Sequence, residues 1–415
     1  MNSPISPLSP RLASSTAKLR NRVPTQLRRV IMIYFACVCI LLILLNIDMI
    51  PRMPGPRGTF RRNVITRGPP KQGSIGFPKK IWQTWKVDPL SFEERDSTTA
   101  KTWTTRNPGF RYEVLTDDND VNYIEQHFGP DGFNRVDIIE LYQSVNATIV
   151  KADLLRYLIM YAEGGIYADI DVEALRPVPR FIPERYDETE IDMVIGVEID
   201  QPEFQEHRIL GKKSQSFCQW TFMAKPRQPV MLKLVENIQD WLNGIAKKQN
   251  VPIGEVVLDF DEVISGTGPS AFTAAILEEM NNRKGGSKIS WDDFHDLDES
   301  KIVSGILVLD VEAFAAGQGH SDSGNHDARG ALVKHHYHAS NWPSRHPRFS
   351  HPAYGSVERC NWNAECVRKW DEDVEAFGFL PPEEQQKRIE EKVARDSQPA
   401  DLNLELRNMN APLVM

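Results

Sequence analysis

Two aspartates one residue apart, Asp169-Ile170-Asp171, end an apolar stretch that begins at Ile166, just after Gly164 and Gly165. Carboxylates at positions i and i+2 leave a strand end on the same side. They repel each other there unless a proton or a cation stands between them. The other Asp-x-Asp pairs (Asp118/Asp120, Asp259/Asp261, Asp296/Asp298 and Asp371/Asp373) lie in polar surroundings, where solvated turns or helix caps explain them. A divalent ion with oxygen ligands, Mg²⁺ or Mn²⁺, takes one or two carboxylates together with substrate phosphates. The competing arrangement is a helix N-cap or an ion pair with Arg176. A hydrolase with paired carboxylates fits poorly, because those groups stand ~5–9 Å apart across a sugar.

The segment before the pair, 151-KADLLRYLIMYAEGG-165, is patterned as a helix with Leu154, Leu155, Leu158 and Ile159 inward. Asp153 and Arg156, three apart, share a face. Near the carboxylates they would hydrogen-bond sugar hydroxyls, the aspartate accepting and the arginine donating; a solvated ion pair is the alternative. Late in the chain, 333-VKHHYHASNWPSRH-346 ends a strand with three histidines, followed by Ser340 and Trp342. Strand alternation puts His336 and His338 on one side and His335 on the other. One histidine suits a carboxylate-held Mn²⁺ as an extra ligand, and with no HExxH motif zinc is the weaker expectation. Trp82 and Trp85 are either core residues or a ring face for a nucleobase. The run 265-SGTGPSAF-272 has neither GxGxxG nor P-loop spacing, and reads as a turn opening a helix at Ser270.

Alternating strand and helix signals must position these groups. Strands are expected at 79–85, 112–116, 166–170, 193–198, 219–223, 306–309 and 331–337. Helices are expected at 92–105, from 117 or 118 to 128, and at 137–145, 149–162, 230–243 and 270–281, with Gly164 as the left-handed stop. This order predicts an α/β sheet covered on both faces, binding ligands beyond the carboxyl ends of its strands.

The net charge of -8 conceals an asymmetry: residues 1–29 hold six Lys/Arg and no Asp/Glu, and residues 51–80 hold eight and none. The body that follows is therefore strongly acidic, which disfavours a nucleic-acid partner. Between the basic stretches, residues 30–47 contain one polar residue, Asn46, and would span ~27 Å as a helix. No small-residue cleavage pattern follows, so a retained signal anchor is expected rather than a cleaved signal. The predicted layout is a cytosolic tail (1–29), an anchor (30–47), a stem (48–77), a catalytic domain (78–345) and a C-terminal extension (346–415). The sequon at Asn146 favours a lumenal body, the spacing of Cys360 and Cys366 permits a small disulfide, and Cys218 reads as a buried thiol.

Seven runs, KKIWQTWK, NPGFRYEVLTDD, KADLLRYLIMYAEGGIYADIDVEALRP, DMVIGVEIDQPEF, SFCQWTFMAKPRQPVM, SGTGPSAFT and the histidine block, cover residues 76–345 in order. Together they resemble glycosyltransferase family 32, and more closely the fungal initiation-specific α-1,6-mannosyltransferases of the Golgi. The resemblance implies a GT-A fold and metal-dependent, retaining transfer of mannose from GDP-mannose to a mannose hydroxyl of an N-glycan. It implies metal binding by Asp169 and Asp171, with His336 as the third ligand and His338 as runner-up, and donor-sugar contacts from Asp153 and Arg156. Trp82 would stack the base, Tyr167 precedes the DxD, the backbone near Gly268 would orient the sugar, and Ser340 and Trp342 would contact the diphosphate. A single-pass type II protein of the Golgi membrane, and membership of a mannosyltransferase complex, belong to the same expectation. The alternatives are mannosylation of inositol phosphoceramide and a non-catalytic glycan-binding or scaffolding role.

Overall fold

The computed structural model describes residues 76–283, 288–338 and 351–397. The strands are β1 (Lys80–Trp85), β2 (Arg111–Thr116), β3 (Gly165–Ala168), β4 (Val172–Ala174), β5 (Met193–Asp200), β6 (Gln215–Phe217), β7 (Thr221–Ala224), β8 (Lys301–Val303), β9 (Ile306–Leu309) and β10 (Val333–His335). The main sheet has the order β2-β1-β3-β7-β5-β9-β8, with β6 paired to β5. Strand β1 runs parallel to β2 and β3, and β5 runs parallel to β9. Strand β7 lies antiparallel between the two parallel groups. The result is a mixed α/β fold in which parallel pairs flank the antiparallel β7. A separate ribbon pairs β10 with β4.

Both faces of the sheet are buried, as central parallel strands require. Along β3 the side chains alternate: Ile166 and Ala168 join Trp103, Phe181 and Phe314 on one side, and Tyr167 joins Leu154, Leu158, Phe222 and Phe272 on the other. The helix Thr148–Ala162 supplies much of that second layer. It stops where expected: Gly164 has φ +64, and a Cβ there would lie 2.6 Å from the Ala224 carbonyl. Only glycine satisfies both the left-handed turn and the close approach.

Several expected elements differ in extent, three of them near the site. Strand β3 ends at Ala168, because the Asp169 N–H turns to the Trp220 carbonyl (2.8 Å) and its own carbonyl accepts from Val172 (3.0 Å). The two aspartates therefore occupy a turn into β4. The helix expected from 117 or 118 starts at Asp120, whose carboxylate faces inward to accept from the Tyr142 hydroxyl at 2.6 Å. The strand expected over 331–337 is confined to β10.

After residue 350 come a short turn (Val357–Cys360) and the helices Ala364–Gly378 and Pro382–Asp396. Val357, Val367 and Trp370 pack with Phe204 and Leu210 in a third apolar cluster. Cys360 and Cys366 form a disulfide, and Cys218 is a buried free thiol. The tail, the anchor at 30–47, residues 48–75 of the stem, and Ser340 and Trp342 lie outside the described residues. Among the described residues no helix is long and apolar enough to cross a membrane.

Candidate active site

Parallel β1, β2 and β3 bring their carboxyl ends to one edge, and a cleft of about 520 Å³ opens there. Thr84 and Trp85 of β1, Leu115 and Thr116 of β2, and Asp169 to Asp171 after β3 all line it. This is where an α/β sheet binds ligands.

The turn fixes both aspartates. The Asp169 carbonyl accepts from Gln83 Nε2 (2.9 Å), while its Oδ1 accepts from the Tyr167 hydroxyl (2.7 Å) and lies 3.2 Å from Arg156 Nη2. Burial pushes the Asp169 carboxyl above the usual carboxylate range, against the pull of Arg156. Asp171, 2 % exposed, accepts from the His338 backbone N–H at 2.9 Å, and its Oδ1 lies 3.3 Å from His335 Nε2. One atom each from Asp169, Asp171 and His335 lie within 4.8 Å of one another. Two carboxylate oxygens and one imidazole nitrogen match Mn²⁺ better than zinc's thiolate- and imidazole-rich sets, and leave coordination positions for phosphate oxygens. The alternative partner for the pair, Arg176, turns away to the Leu175 carbonyl.

Asp153 and Arg156 share more than a helix face. Both are buried, and Arg156 Nη2 is 3.2 Å from Asp153 Oδ1 as well as from Asp169. The guanidinium lies over the Tyr167 ring at 5.1 Å, and its Nε has no hydrogen-bond partner among the described residues. Asp153 Oδ2 accepts from the Thr267 hydroxyl at 2.6 Å. Burial raises the Asp153 carboxyl to about 6, with Arg156 and Thr267 opposing the rise. A cation held between two carboxylates beside an open cleft can donate to sugar or phosphate oxygens without losing its anchors.

Several expected roles are corrected. His336 is not with the aspartates; its Nε2 lies 3.0 Å from Glu173, and His338 Nε2 lies 3.2 Å from Asp96. The expected alternation holds, but antiparallel pairing of His335 with Val172 sets its phase, so His335 faces the cleft. Trp82, 3 % exposed, belongs to the core and donates to the Gly164 carbonyl at 3.0 Å. It has no free ring face, whereas Trp85 lines the cleft. Tyr167 is fully buried and touches Asp169 rather than the cleft. Gly268 lines the cleft, but its N–H donates to the Val263 carbonyl at 2.9 Å, so that amide points inward. Sequence reasoning missed Glu198, Gln219 and Trp220, which also line the cleft. Glu198 and Gln219 lie within the two strand-like runs, and pattern alone did not set them apart.

The family model described as glycosyltransferase sugar-binding region containing DXD motif matches residues 93–188. An initiation-specific α-1,6-mannosyltransferase of Schizosaccharomyces pombe is 32 % identical over 268 residues, which are 64 % of this chain and 64 % of that protein. The Candida albicans protein of the same description is 31 % identical over 263 residues, covering 59 % of this chain and 67 % of the relative. The inositol phosphoceramide mannosyltransferase 3 of Schizosaccharomyces pombe is 31 % identical over 99 residues, 24 % of this chain and 25 % of its own length. The matched range includes the Asp169–Asp171 turn after β3, and the chain belongs to this family of DXD glycosyltransferases.

Proposed function

We propose that this protein transfers mannose from GDP-mannose to a mannose hydroxyl of an N-glycan, retaining the anomeric configuration and depending on a divalent metal. The observation that carries this reading is the convergence of Asp169, Asp171 and His335 at the mouth of the cleft, with Arg156 behind them. These three side chains would hold Mn²⁺ (or Mg²⁺). Once bound, the ion would supply positive charge to offset the diphosphate of the donor.

The chain's own residues then do the positioning. Trp85 offers a ring face at the end of β1 for the base, in place of the buried Trp82. Arg156 donates to donor oxygens, and Asp153 accepts from a sugar hydroxyl. In the transfer, the bond between mannose C1 and the phosphate oxygen breaks, and GDP leaves with the electron pair. The acceptor oxygen bonds to C1 on the same face, and its proton passes to the departing phosphate oxygen. This path requires no covalent nucleophile from the protein. A Golgi membrane location, a lumenal active site and membership of a mannosyltransferase complex complete the proposal, supported by the basic-apolar-basic pattern of residues 1–80 and by the disulfide.

Purified protein, incubated with GDP-mannose and in parallel with a core N-glycan, with inositol phosphoceramide or with water alone, tests the reading. EDTA-sensitive mannose transfer to the N-glycan is expected, restored by Mn²⁺. Transfer to the lipid alone would replace the acceptor, and transfer insensitive to chelation would remove the metal.

A further inference from the structure

A second, smaller chamber of about 210 Å³ adjoins the cleft and shares Glu198, Ile264 and Pro269 with it. We infer that this chamber is the acceptor-sugar subsite, built for an uncharged pyranose stacked on Trp362. The inference rests on the glycosyl-transfer reading above and names where the second substrate sits.

Three features carry it. The first is the presentation of Trp362. Asn361 and Trp362 have φ of +44 and +65, a left-handed conformation that is unfavourable for two successive non-glycine residues, tryptophan especially. The Cys360–Cys366 disulfide closes the loop that carries them, and the ring leans on Phe204 with centroids 5.6 Å apart. Backbone strain of this kind clusters at ligand-binding positions, and here it fixes a partly exposed aromatic at the chamber wall.

Polar groups placed for hydroxyls are the second feature. Lys213 is buried yet pairs with Glu358 at 2.6 Å and with Asp261 at 2.9 Å. Glu198, on the common wall, accepts from Trp220 Nε1 at 2.7 Å, and its two oxygens retain lone pairs for an incoming hydroxyl. Apolar walls with a few oriented polar groups are the pattern of a small-molecule site.

The third feature is the charge balance. Two carboxylates, Glu198 and Glu358, line the chamber against one ammonium, Lys213. That balance repels a phosphate or phosphoinositol headgroup and accepts a neutral polyol. The common wall then delivers a hydroxyl of the bound sugar to the donor cleft beside Glu198.

The test uses the full chain and two readouts. In steady-state kinetics, Trp362→Ala is expected to raise the KM for an oligomannose acceptor about tenfold while the KM for GDP-mannose stays within about twofold. An unchanged acceptor KM, or equal rises in both, would overturn the subsite. Ser270→Trp fills the chamber from its rim and supplies the second variant should Trp362→Ala fail to fold. Direct calorimetric titration with α-1,6-mannobiose and with myo-inositol 1-phosphate separates this inference from the catalytic one, because it needs no turnover. Mannobiose binding that Ser270→Trp abolishes supports the subsite even if GDP-mannose is never consumed. Binding of the inositol phosphate in preference to mannobiose, or of neither, sinks it.

Discussion

His335 Nε2 stands 3.3 Å from Asp171 Oδ1, while the adjacent His336 turns to the opposite side and meets Glu173 at 3.0 Å. One residue of strand phase thus separates the proposed ligand from a bystander. His335→Ala is expected to weaken Mn²⁺ activation about 10–100-fold, the usual cost of disturbing a metal's surroundings. His336→Ala breaks only a half-exposed pair worth ~0–1 kcal/mol and leaves activation unchanged. Mn²⁺ titration of both variants decides; the reverse order would restore His336 as the ligand.

Arg156 separates two carboxylates in a buried position. Arg156→Met leaves Asp153 and Asp169 facing each other uncompensated, and is expected to destabilise the fold by about 3–5 kcal/mol. The double variant Asp153→Asn/Arg156→Met should recover part of that loss, because one buried charge goes with the other. Chemical denaturation of the two variants measures the difference, and equal stabilities would mean that repulsion is not the cause.

The Asp153 carboxyl, raised to about 6 by burial, ties both stability and activity to pH, with opposite signs. Its folded value exceeds the unfolded 3.8, so the native state holds the extra proton in that interval. Stability from this group is greatest below the interval and falls as pH rises through it. Function runs the other way, because Arg156 is paired with an ionised Asp153 only above it. The kcat/KM for GDP-mannose is therefore expected to decline below a pH of about 6. Thr267→Val removes a hydrogen bond that holds the ionised form, so this acid limb should move to higher pH. A pH–rate profile with an unmoved limb would assign it to another group.

Trp82 and Trp85 divide along the strand that carries both. Trp82→Ala opens a cavity in the core and should cost about 3–5 kcal/mol of stability, with little change in donor KM. Trp85→Ala should raise the donor KM about tenfold, from the loss of a stacked base, while unfolding at nearly the wild-type denaturant concentration. Melting curves and donor titrations on the same two preparations separate the roles.

Much of the site could be read from residue type. The DxD turn, the Asp153/Arg156 face and the glycine stop after the helix all depend on local periodicity and backbone sterics, which sequence carries directly. The errors at Trp82 and His336 share one physical source. Both faces of the central sheet are buried, so alternation along β1 says that the tryptophans differ but not which of them meets the ligand. Likewise the phase of the histidine block comes from pairing with β4, a three-residue strand too short to announce itself. Glu198 and Trp362 escaped because residues far apart in the chain come together in the wall of the smaller chamber only through the fold.

The bond between Cys360 and Cys366 has two chemical states, and only one of them holds the Trp362 loop closed. A newly made chain with free thiols at those positions would already possess the DxD turn, Arg156 and the donor cleft. If Trp362 holds the acceptor as inferred above, its slack tether would leave the chain able to use donor but poorly able to hand the sugar on. Oxidation of the Cys360–Cys366 loop would then act as a maturation step, coupling the yield of glycan per donor spent to the thiol chemistry of the compartment in which the protein completes its folding.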